Sequence, residues 1–146
     1  MTAPLVVVDA SIALAWYLPD SDANYRYAKA IRLAQWRGQI SPAVPDFWSA
    51  EIAYRLLKAS RSSPSPLAIG LDEAAAALDR FPRSTYATPQ GVSQITALAL
   101  HYQLQGWDAL YFDIAVRHHA TLATLDGGLK TAARRFGVSL WKMASV

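Results

Sequence analysis

The run Leu5-Val6-Val7-Val8-Asp9 near the start of the chain is its clearest structural pattern, because four apolar residues lead directly into an acid. Three of the four are β-branched, which favours a strand. An unbroken apolar run is typical of a strand buried on both faces of a parallel sheet. Such strands point their carboxyl ends at the crevice where ligands bind. The sequence therefore predicts a central parallel strand with Asp9 at that crevice.

Outward from this run, strand and helix patterns alternate to the end of the chain, which predicts an α/β fold around a mainly parallel sheet of four to five strands. We predict further strands at 39–42, 83–86, 121–124 and 138–141. Helices are predicted at 11–18, from an N-cap at 20–22 to about 37, and at 47–59, 67–80, 91–103, 108–118 and 129–136.

The composition limits the class of protein. The chain has 146 residues, of which 53% are hydrophobic and 17% charged, so we expect one globular domain over 1–146. With no cysteine, disulfides, thiol nucleophiles and cysteine-ligated metals are excluded. Apolar runs fall short of the roughly 20 residues that a membrane span needs. The first residues lack the basic start of a signal peptide, and we expect a cytoplasmic protein.

Acidic residues are scarce, and several occupy apolar surroundings. Of the 11 acids, two directly follow predicted strands and three lie in predicted helices between apolar residues. Buried carboxylates are costly unless they are paired, hydrogen-bonded or bound to metal. Magnesium takes carboxylates together with water and phosphate oxygens, and it stabilises in-line attack at phosphorus. The pattern therefore predicts a metal-dependent phosphodiesterase site built from Asp9, Glu51, Asp108 and Asp126, with Asp113 as a weaker fifth candidate.

Each of these acids has a simpler explanation when taken alone. Asp9, Asp108 and Asp126 could each cap a helix or form a turn. Glu51 could lie on a solvated helix face. Asp113 lies five residues after Asp108, about 140° around the helix, and could reach the same crevice or face solvent. Four such coincidences on two strand ends and two helices make the shared site the better interpretation.

Four segments of the chain, in this order and spacing, resemble the PIN-domain family, and within it the VapC-type toxin ribonucleases of toxin–antitoxin pairs. The resemblance covers essentially the whole chain. Each segment is weak alone, but the ordered set of four acids in one small domain is specific. The segments are Val6-Val7-Val8-Asp9-Ala10-Ser11, Pro45-Asp46-Phe47-Trp48-Ser49-Ala50-Glu51, Trp107-Asp108-Ala109-Leu110-Tyr111 and Leu122-Ala123-Thr124-Leu125-Asp126.

This resemblance implies a three-layer α/β/α sandwich and an endoribonuclease that depends on Mg²⁺ or Mn²⁺. It implies a homodimer that a cognate antitoxin holds inactive. It places the catalytic and metal-ligand roles on Asp9, Glu51, Asp108 and Asp126, gives Asp113 a supporting position, and matches Ser11 to a hydroxyl that orients Asp9. Two departures are that Trp107 stands where the family often has Tyr, and that Gly127-Gly128 replaces a commonly polar pair.

An acidic pocket cannot hold RNA phosphates by itself, so cations and aromatic rings beside the four segments are the candidates for RNA contact. The net charge of +3 permits nucleic-acid contact without requiring it. Arg55 follows Glu51 and Arg134 follows Asp126 on a helix, so both could rim the crevice. The rings of Trp48 and Trp107 adjoin site segments and could stack on bases, although ordinary surface and core roles are the simpler interpretation of each.

The main rival to the enzyme is a PIN-like module that binds RNA or protein without catalysis. The complete set of acids argues against it. A phosphotransfer domain fits less well because Asp9 is followed by Ala10-Ser11 and not by a second acid, and a dinucleotide-binding domain lacks its G-x-G-x-x-G motif.

Overall fold

The computed structural model describes residues 2–144 as a parallel four-stranded sheet with seven helices. No helix within that part of the chain is long and apolar enough to cross a membrane. In chain order the elements are β1 (Leu5–Val8), α1 (Ala10–Ala15), α2 (Asp22–Trp36), β2 (Ser41–Pro45), α3 (Trp48–Ser60), α4 (Leu71–Asp79), β3 (Ser84–Tyr86), α5 (Val92–Tyr102), α6 (Gly106–Arg117), β4 (Thr121–Ala123) and α7 (Gly127–Phe136).

The strands lie side by side in the order β3-β2-β1-β4, and every pair is parallel. Val7 of β1 is aligned with Ala43 of β2 on one side and with Leu122 of β4 on the other. β1 is therefore an interior strand, as its apolar run predicts. Because all strands run the same way, the residues that follow β1 and β4 emerge at one edge of the sheet.

Both faces of the sheet are covered. Val6, Val7 and Val8 point alternately to opposite faces, and all three are at most 1% exposed. On one face α6 packs across β1, β2 and β4. The predicted three-layer α/β/α arrangement is confirmed.

Two strand predictions differ from the structure. The segment 138–141 forms only an isolated bridge between Leu140 and Leu122, so the described residues contain four strands and the fifth is wrong. β2 runs to Pro45 instead of ending at Pro42. Proline lacks the N–H that an interior strand normally donates, so the two prolines Pro42 and Pro45 are atypical of such a strand. The buried Ala43 and Val44 hold the segment in the core regardless.

Two helices begin elsewhere than predicted. α4 starts at Leu71, after Gly70 as its N-cap, so residues 67–70 belong to the preceding loop. α6 starts at Gly106, two residues earlier than predicted, which places Asp108 inside its first turn. The remaining helices agree with their predicted ranges to within a few residues.

Candidate active site

A cleft of about 370 Å³ opens where the chain leaves β1 and β4. Among the described residues that line it, five are acidic and Arg55 alone is basic. The structure brings together the four acids predicted to share a site, although they are separated by up to 117 positions in the chain. The acidic residues of the lining are Asp9, Asp20, Glu51, Asp108 and Asp126.

Asp9 is held at the floor of this cleft by two hydroxyl groups. Ser11 Oγ and Thr124 Oγ1 both donate to Asp9 Oδ2, at 2.6 and 2.8 Å. The same hydroxyl oxygens accept hydrogen bonds from the backbone N–H groups of Leu125 and Asp126. This network ties the end of β1 to the end of β4 and fixes the carboxylate between them.

Asp9 is the N-cap residue of α1, but its side chain makes no capping hydrogen bond. The helix-capping explanation for this acid therefore does not hold. Its side chain is almost wholly buried, and burial raises its pKa above the ordinary value of 3.8, while the hydroxyls of Ser11 and Thr124 act in the opposite direction. The charge of Asp126 also raises the pKa of Asp9.

Glu51 extends from the first turn of α3 and is held by a tyrosine. Tyr111 Oη donates to Glu51 Oε2 at 2.9 Å. Tyr111 is fully buried in α6, and burial raises the pKa of its hydroxyl, so the phenol stays protonated and can only donate to the carboxylate. Burial also raises the pKa of Glu51, and Asp9 adds to this effect, whereas Arg55 lowers it.

The pKa of Asp108 is raised by burial and by the charges of three other acids. Its pKa is raised from 3.8 to about 7, first by burial and then by the charges of Asp126, Asp9 and Glu51. It lies within the first turn of α6, whose N-cap is Gln105, so it is not itself the helix cap.

Asp126 caps a helix, as its simpler explanation predicted, and it also lines the cleft. Its side chain accepts a hydrogen bond from Leu129 N at 2.9 Å and caps α7. Its carboxylate nevertheless faces the acidic cleft, where its charge acts on Asp9 and Asp108.

The donors in this cleft suit a hard divalent cation. Burial and neighbouring acids raise the pKa values of Asp9, Glu51 and Asp108, so these groups need positive charge to remain ionised together beside Asp126, and oxygen donors are what Mg²⁺ and Mn²⁺ prefer. Within residues 2–144 no three acidic or histidine side chains converge tightly enough to form a closed metal cage. Magnesium usually keeps several waters and takes only one or two carboxylates, so an open carboxylate cleft still fits it.

Asp113 does not join the other four acids. It is buried in α6, and its Oδ2 accepts from Arg117 Nε at 2.7 Å, one helical turn away. The 140° that separates it from Asp108 turns it away from the cleft instead of into it. We therefore assign Asp113 to an internal ion pair and not to the metal.

The two tryptophans proposed for base stacking have opposite environments. Trp48 is 2% exposed and packs on Phe81, with the Arg83 guanidinium over its ring, so its assignment to RNA stacking is wrong. It shares the core-facing stripe of α3 with Ile52 and Leu56, at four-residue spacing. Trp107 is 60% exposed and remains a candidate.

The two candidate arginines also differ in position. Arg55 lines the cleft and is close enough to Glu51 to lower its pKa. Arg134 is exposed in the last turn of α7, about 12 Å along the helix axis from Asp126, and is not part of the cleft lining. Its contact with RNA stays a prediction.

Thr124, Tyr111 and the cleft-lining Asp20 are site residues that the sequence analysis missed. Thr124 lies at the carboxyl end of β4, two residues before Asp126, just as Ser11 lies two residues after Asp9. A hydroxyl two residues from each strand-end acid is a sequence pattern from which the role of Thr124 could have been predicted. Tyr111 lies three residues after Asp108, but its pairing with Glu51, 60 positions away, depends on how α3 and α6 pack.

Comparisons with known proteins identify the family and the fold. A family model described as PIN domain matches residues 6–135, which is most of the chain and includes all five acids of the cleft lining. A comparison with curated proteins found no match.

Two solved structures share the fold at low sequence identity. The protein PAE2754 from Pyrobaculum aerophilum aligns with a TM-score of 0.63 and 18% identity, over 88% of this chain and 79% of that chain. VapBC2 from Rickettsia felis, bound to a DNA fragment from their promoter, aligns with a TM-score of 0.57 and 12% identity, over 94% of this chain and 97% of that chain.

Proposed function

The chain belongs to the PIN-domain family, and from this membership we propose that it is a metal-dependent endoribonuclease, the toxin of a toxin–antitoxin pair. PIN domains are generally nucleases. The proposal specifies RNA as substrate, Mg²⁺ or Mn²⁺ as cofactor, and Asp9, Glu51, Asp108 and Asp126 as the residues responsible, within a single domain over 1–146.

One observation carries this proposal. Asp9, Glu51, Asp108 and Asp126 come from four separate segments and line one cleft, with Arg55 as the basic residue of its described lining, and the pKa values of Asp9, Glu51 and Asp108 are raised by burial and by neighbouring acids. Repulsion between these acids lowers the stability of the fold, and raised pKa values of this kind cluster at functional sites. Holding a divalent cation against a phosphodiester is the task that these donors fit best.

Each acid has a distinct position for that task. Asp9, Glu51 and Asp108 would hold the cation directly or through water, and Asp126 would close the site. A bound Mg²⁺ or Mn²⁺ would supply a water of lowered pKa and positive charge to offset that of the phosphate. The hydroxyls of Ser11 and Thr124 keep Asp9 in place, and the Tyr111 hydroxyl does the same for Glu51.

RNA phosphates need cations beyond those of the cleft. Arg55 is placed to contact a phosphate next to Glu51, and Arg134 would contact the strand further out on α7. The exposed ring of Trp107 lies beside Asp108 and suits base stacking. These three contacts are part of the proposal.

The proposed partners are a cognate antitoxin and a second copy of this chain. A structurally similar protein is described as VapBC2, which supports the antitoxin. Val92 and Leu100 of α5 are 82% and 75% exposed, and such apolar side chains are suited to a homodimer interface. No spanning helix was found in the described residues, and we propose that the protein acts in the cytoplasm.

The test is cleavage of a mixed RNA pool by the purified protein, with and without Mg²⁺, comparing wild type with Asp9→Asn. Asparagine keeps the shape of Asp9 but removes its charge. We expect cleavage only with metal, and a loss in the variant greater than the about 10–100-fold typical when a residue that merely supports a ligand is changed.

Asp72→Asn is the matched control, because Asp72 is an exposed acid on α4, outside the cleft. It should cleave as wild type does. Equal activity in wild type and Asp9→Asn would refute the catalytic assignment. RNA binding without cleavage in any metal would favour the inactive binding module.

A further inference from the structure

A second, smaller pocket adjoins the acidic cleft. It lies between the first turns of α3 and α6 and has a volume of about 220 Å³. Pockets for drug-sized ligands usually measure 300–1,000 Å³, so this one suits a single ring system. Its lining is Phe47, Ala50, Glu51, Tyr54 and Trp107.

Glu51 is the wall that this aromatic pocket shares with the acidic cleft. The elements that supply the rings also supply the acids, since Trp107 directly precedes Asp108 and Tyr54 lies one turn after Glu51. A group in the aromatic pocket is therefore next to a group held in the cleft. In RNA, a base and its phosphate are also neighbours, because both are attached to the same ribose.

The rings are arranged as an open platform. Trp107 and Tyr54 are 60% and 63% exposed, although aromatic side chains are on average largely buried. Phe47 packs on Trp107 at a centroid distance of 4.5 Å and on Tyr111 at 5.4 Å. The Trp107 ring is thus supported from the protein side and remains accessible to solvent.

We propose that this aromatic pocket binds one unpaired nucleobase of the RNA, adjacent to the phosphate held in the acidic cleft. It would favour single-stranded over paired RNA, because a base inside a duplex cannot stack on a protein ring. The inference rests on the proposed ribonuclease function and deepens it. Trp107 and Tyr54 are then the residues that select where the RNA is cut.

A nucleobase accounts for the pocket better than an apolar protein side chain does. The pocket is bounded by the Glu51 carboxylate, and Arg55 lies on the neighbouring cleft lining. A planar ring with polar edges and an attached phosphate matches both features. Stacking on Trp107 would also tolerate different bases, with smaller preferences set at the carboxylate edge.

The first experiment measures binding of a short single-stranded RNA in Mg²⁺ by Asp9→Asn protein, in which the RNA is expected to stay intact. Trp107→Leu added to this background should weaken binding about 10-fold, the effect typical of losing one stacked base. Trp107→Phe should restore most of it. Trp36→Leu is the matched control, since Trp36 is 79% exposed on α2, outside this pocket, and should bind as the parent does.

The second experiment removes the base instead of the ring. RNAs lacking one base at a time are compared for binding to the parent and to Trp107→Leu. One abasic position should cost the parent about 10-fold and cost the Trp107→Leu protein almost nothing, because the interaction is already lost. In the wild-type background, Trp107→Leu should raise KM for that RNA and leave kcat within about 3-fold.

The inference is overturned if Trp107→Leu binds RNA as tightly as its parent, if Trp36→Leu loses as much, or if no abasic position is coupled to Trp107. A variant that binds RNA normally but loses a protein partner or a second copy of the chain would assign the pocket to that interface instead. Failure of the proposed function gives a different result. Wild type would then not cleave RNA, whereas the comparison of RNA binding between the variants would still be valid.

Discussion

At the residue scale, the Asp9 carboxylate is fixed by hydrogen bonds from two side chains. Two hydroxyl groups donate to the same oxygen, and they come from opposite ends of the chain. A buried carboxylate needs such hydrogen bonds to offset its lost hydration. Ser11 and Thr124 therefore both stabilise the charge of Asp9 and fix where it points.

Thr124→Val should lower activity about 10–100-fold, the usual cost of losing a residue that orients a metal ligand. Valine keeps the buried shape but cannot donate to Asp9 or accept from Asp126 N. We expect weaker Mn²⁺ binding as well, measured by calorimetric titration alongside the cleavage rate.

The control for this substitution is Thr96→Val, since the Thr96 hydroxyl on α5 donates only to a carbonyl of its own helix. It should change neither activity nor metal binding. Wild-type metal affinity in Thr124→Val would show that the hydroxyl does not orient Asp9.

The raised pKa of Asp108 makes the free energy of unfolding depend on pH. Its pKa is about 7 in the folded protein, against an ordinary value of 3.8, so the folded state binds a proton more tightly than the unfolded chain does. Unfolding free energy of the metal-free protein should therefore fall as pH rises from about 4 to about 7.

Asp108→Asn should raise the Tm of the metal-free protein at pH 8 and flatten its fall between pH 5 and 8, because the repelled charge is gone. A gain of 1 kcal/mol corresponds to about 3 °C for a domain of this size. Thermal unfolding in a chelator at several pH values measures both effects. An unchanged pH profile in the variant would contradict this assignment.

At the scale of single elements, α7 combines a structural and a chemical role in one residue. Asp126 caps the helix through Leu129 N and contributes its charge to the acidic cleft. Asparagine caps helices about as well as aspartate does, whereas alanine does not.

Asp126→Asn should therefore keep its stability but lose cleavage activity. Asp126→Ala should lose activity and also about 1 kcal/mol of unfolding free energy. Denaturant unfolding and RNA cleavage of the two variants separate the roles. If both variants keep wild-type activity, Asp126 acts only as a cap.

Helix α3 shows how one element separates core from site. Trp48 and Ile52 face the interior, while Glu51 and Tyr54 border the two pockets. Sequence adjacency suggested that Trp48 and Glu51 act together, but in a helix each residue turns about 100° from the last. Trp48 lies in the core because its side chain points inward from α3, although Glu51 is only three residues away.

At the scale of the whole molecule, the parallel sheet gathers the site. Crossovers return each strand to the same edge, so that residues after β1 and β4 meet although more than 100 positions separate them. The acids are held on buried strands and helix starts, so their mutual repulsion persists in the folded protein. A divalent cation that relieves this repulsion should stabilise the fold.

Added Mg²⁺ or Mn²⁺ should raise the Tm of the wild-type protein. Ligand at 100 times its Kd contributes about 2.7 kcal/mol, which corresponds to about 5–10 °C for a domain of this size. Differential scanning calorimetry with increasing metal measures the shift. It should be much smaller in Asp9→Asn and unchanged in Asp72→Asn, and a Tm independent of metal in wild type would contradict the metal site.

The order of strands and helices could be predicted from the sequence because hydrophobic periodicity and helix caps are local properties. The run Val6-Val7-Val8 specified a buried parallel strand, and the acids that follow it and β4 were placed in the cleft correctly. The family resemblance implied that Ser11 orients Asp9, and the hydrogen bond between these two residues is local, spanning only two positions.

Contacts between distant segments were decided by tertiary structure alone. The same local pattern that placed Asp108 left Asp113 ambiguous, and the packing of α6 against the sheet decided that Asp113 lies outside the cleft lining. The Tyr111 bond to Glu51 and the pocket that Trp107 forms with Tyr54 required the N-terminal parts of α3 and α6 to come close together. Sequence patterns report which face of an element is apolar, whereas the neighbour that covers the face, and the polar groups that meet there, follow from how the whole chain packs.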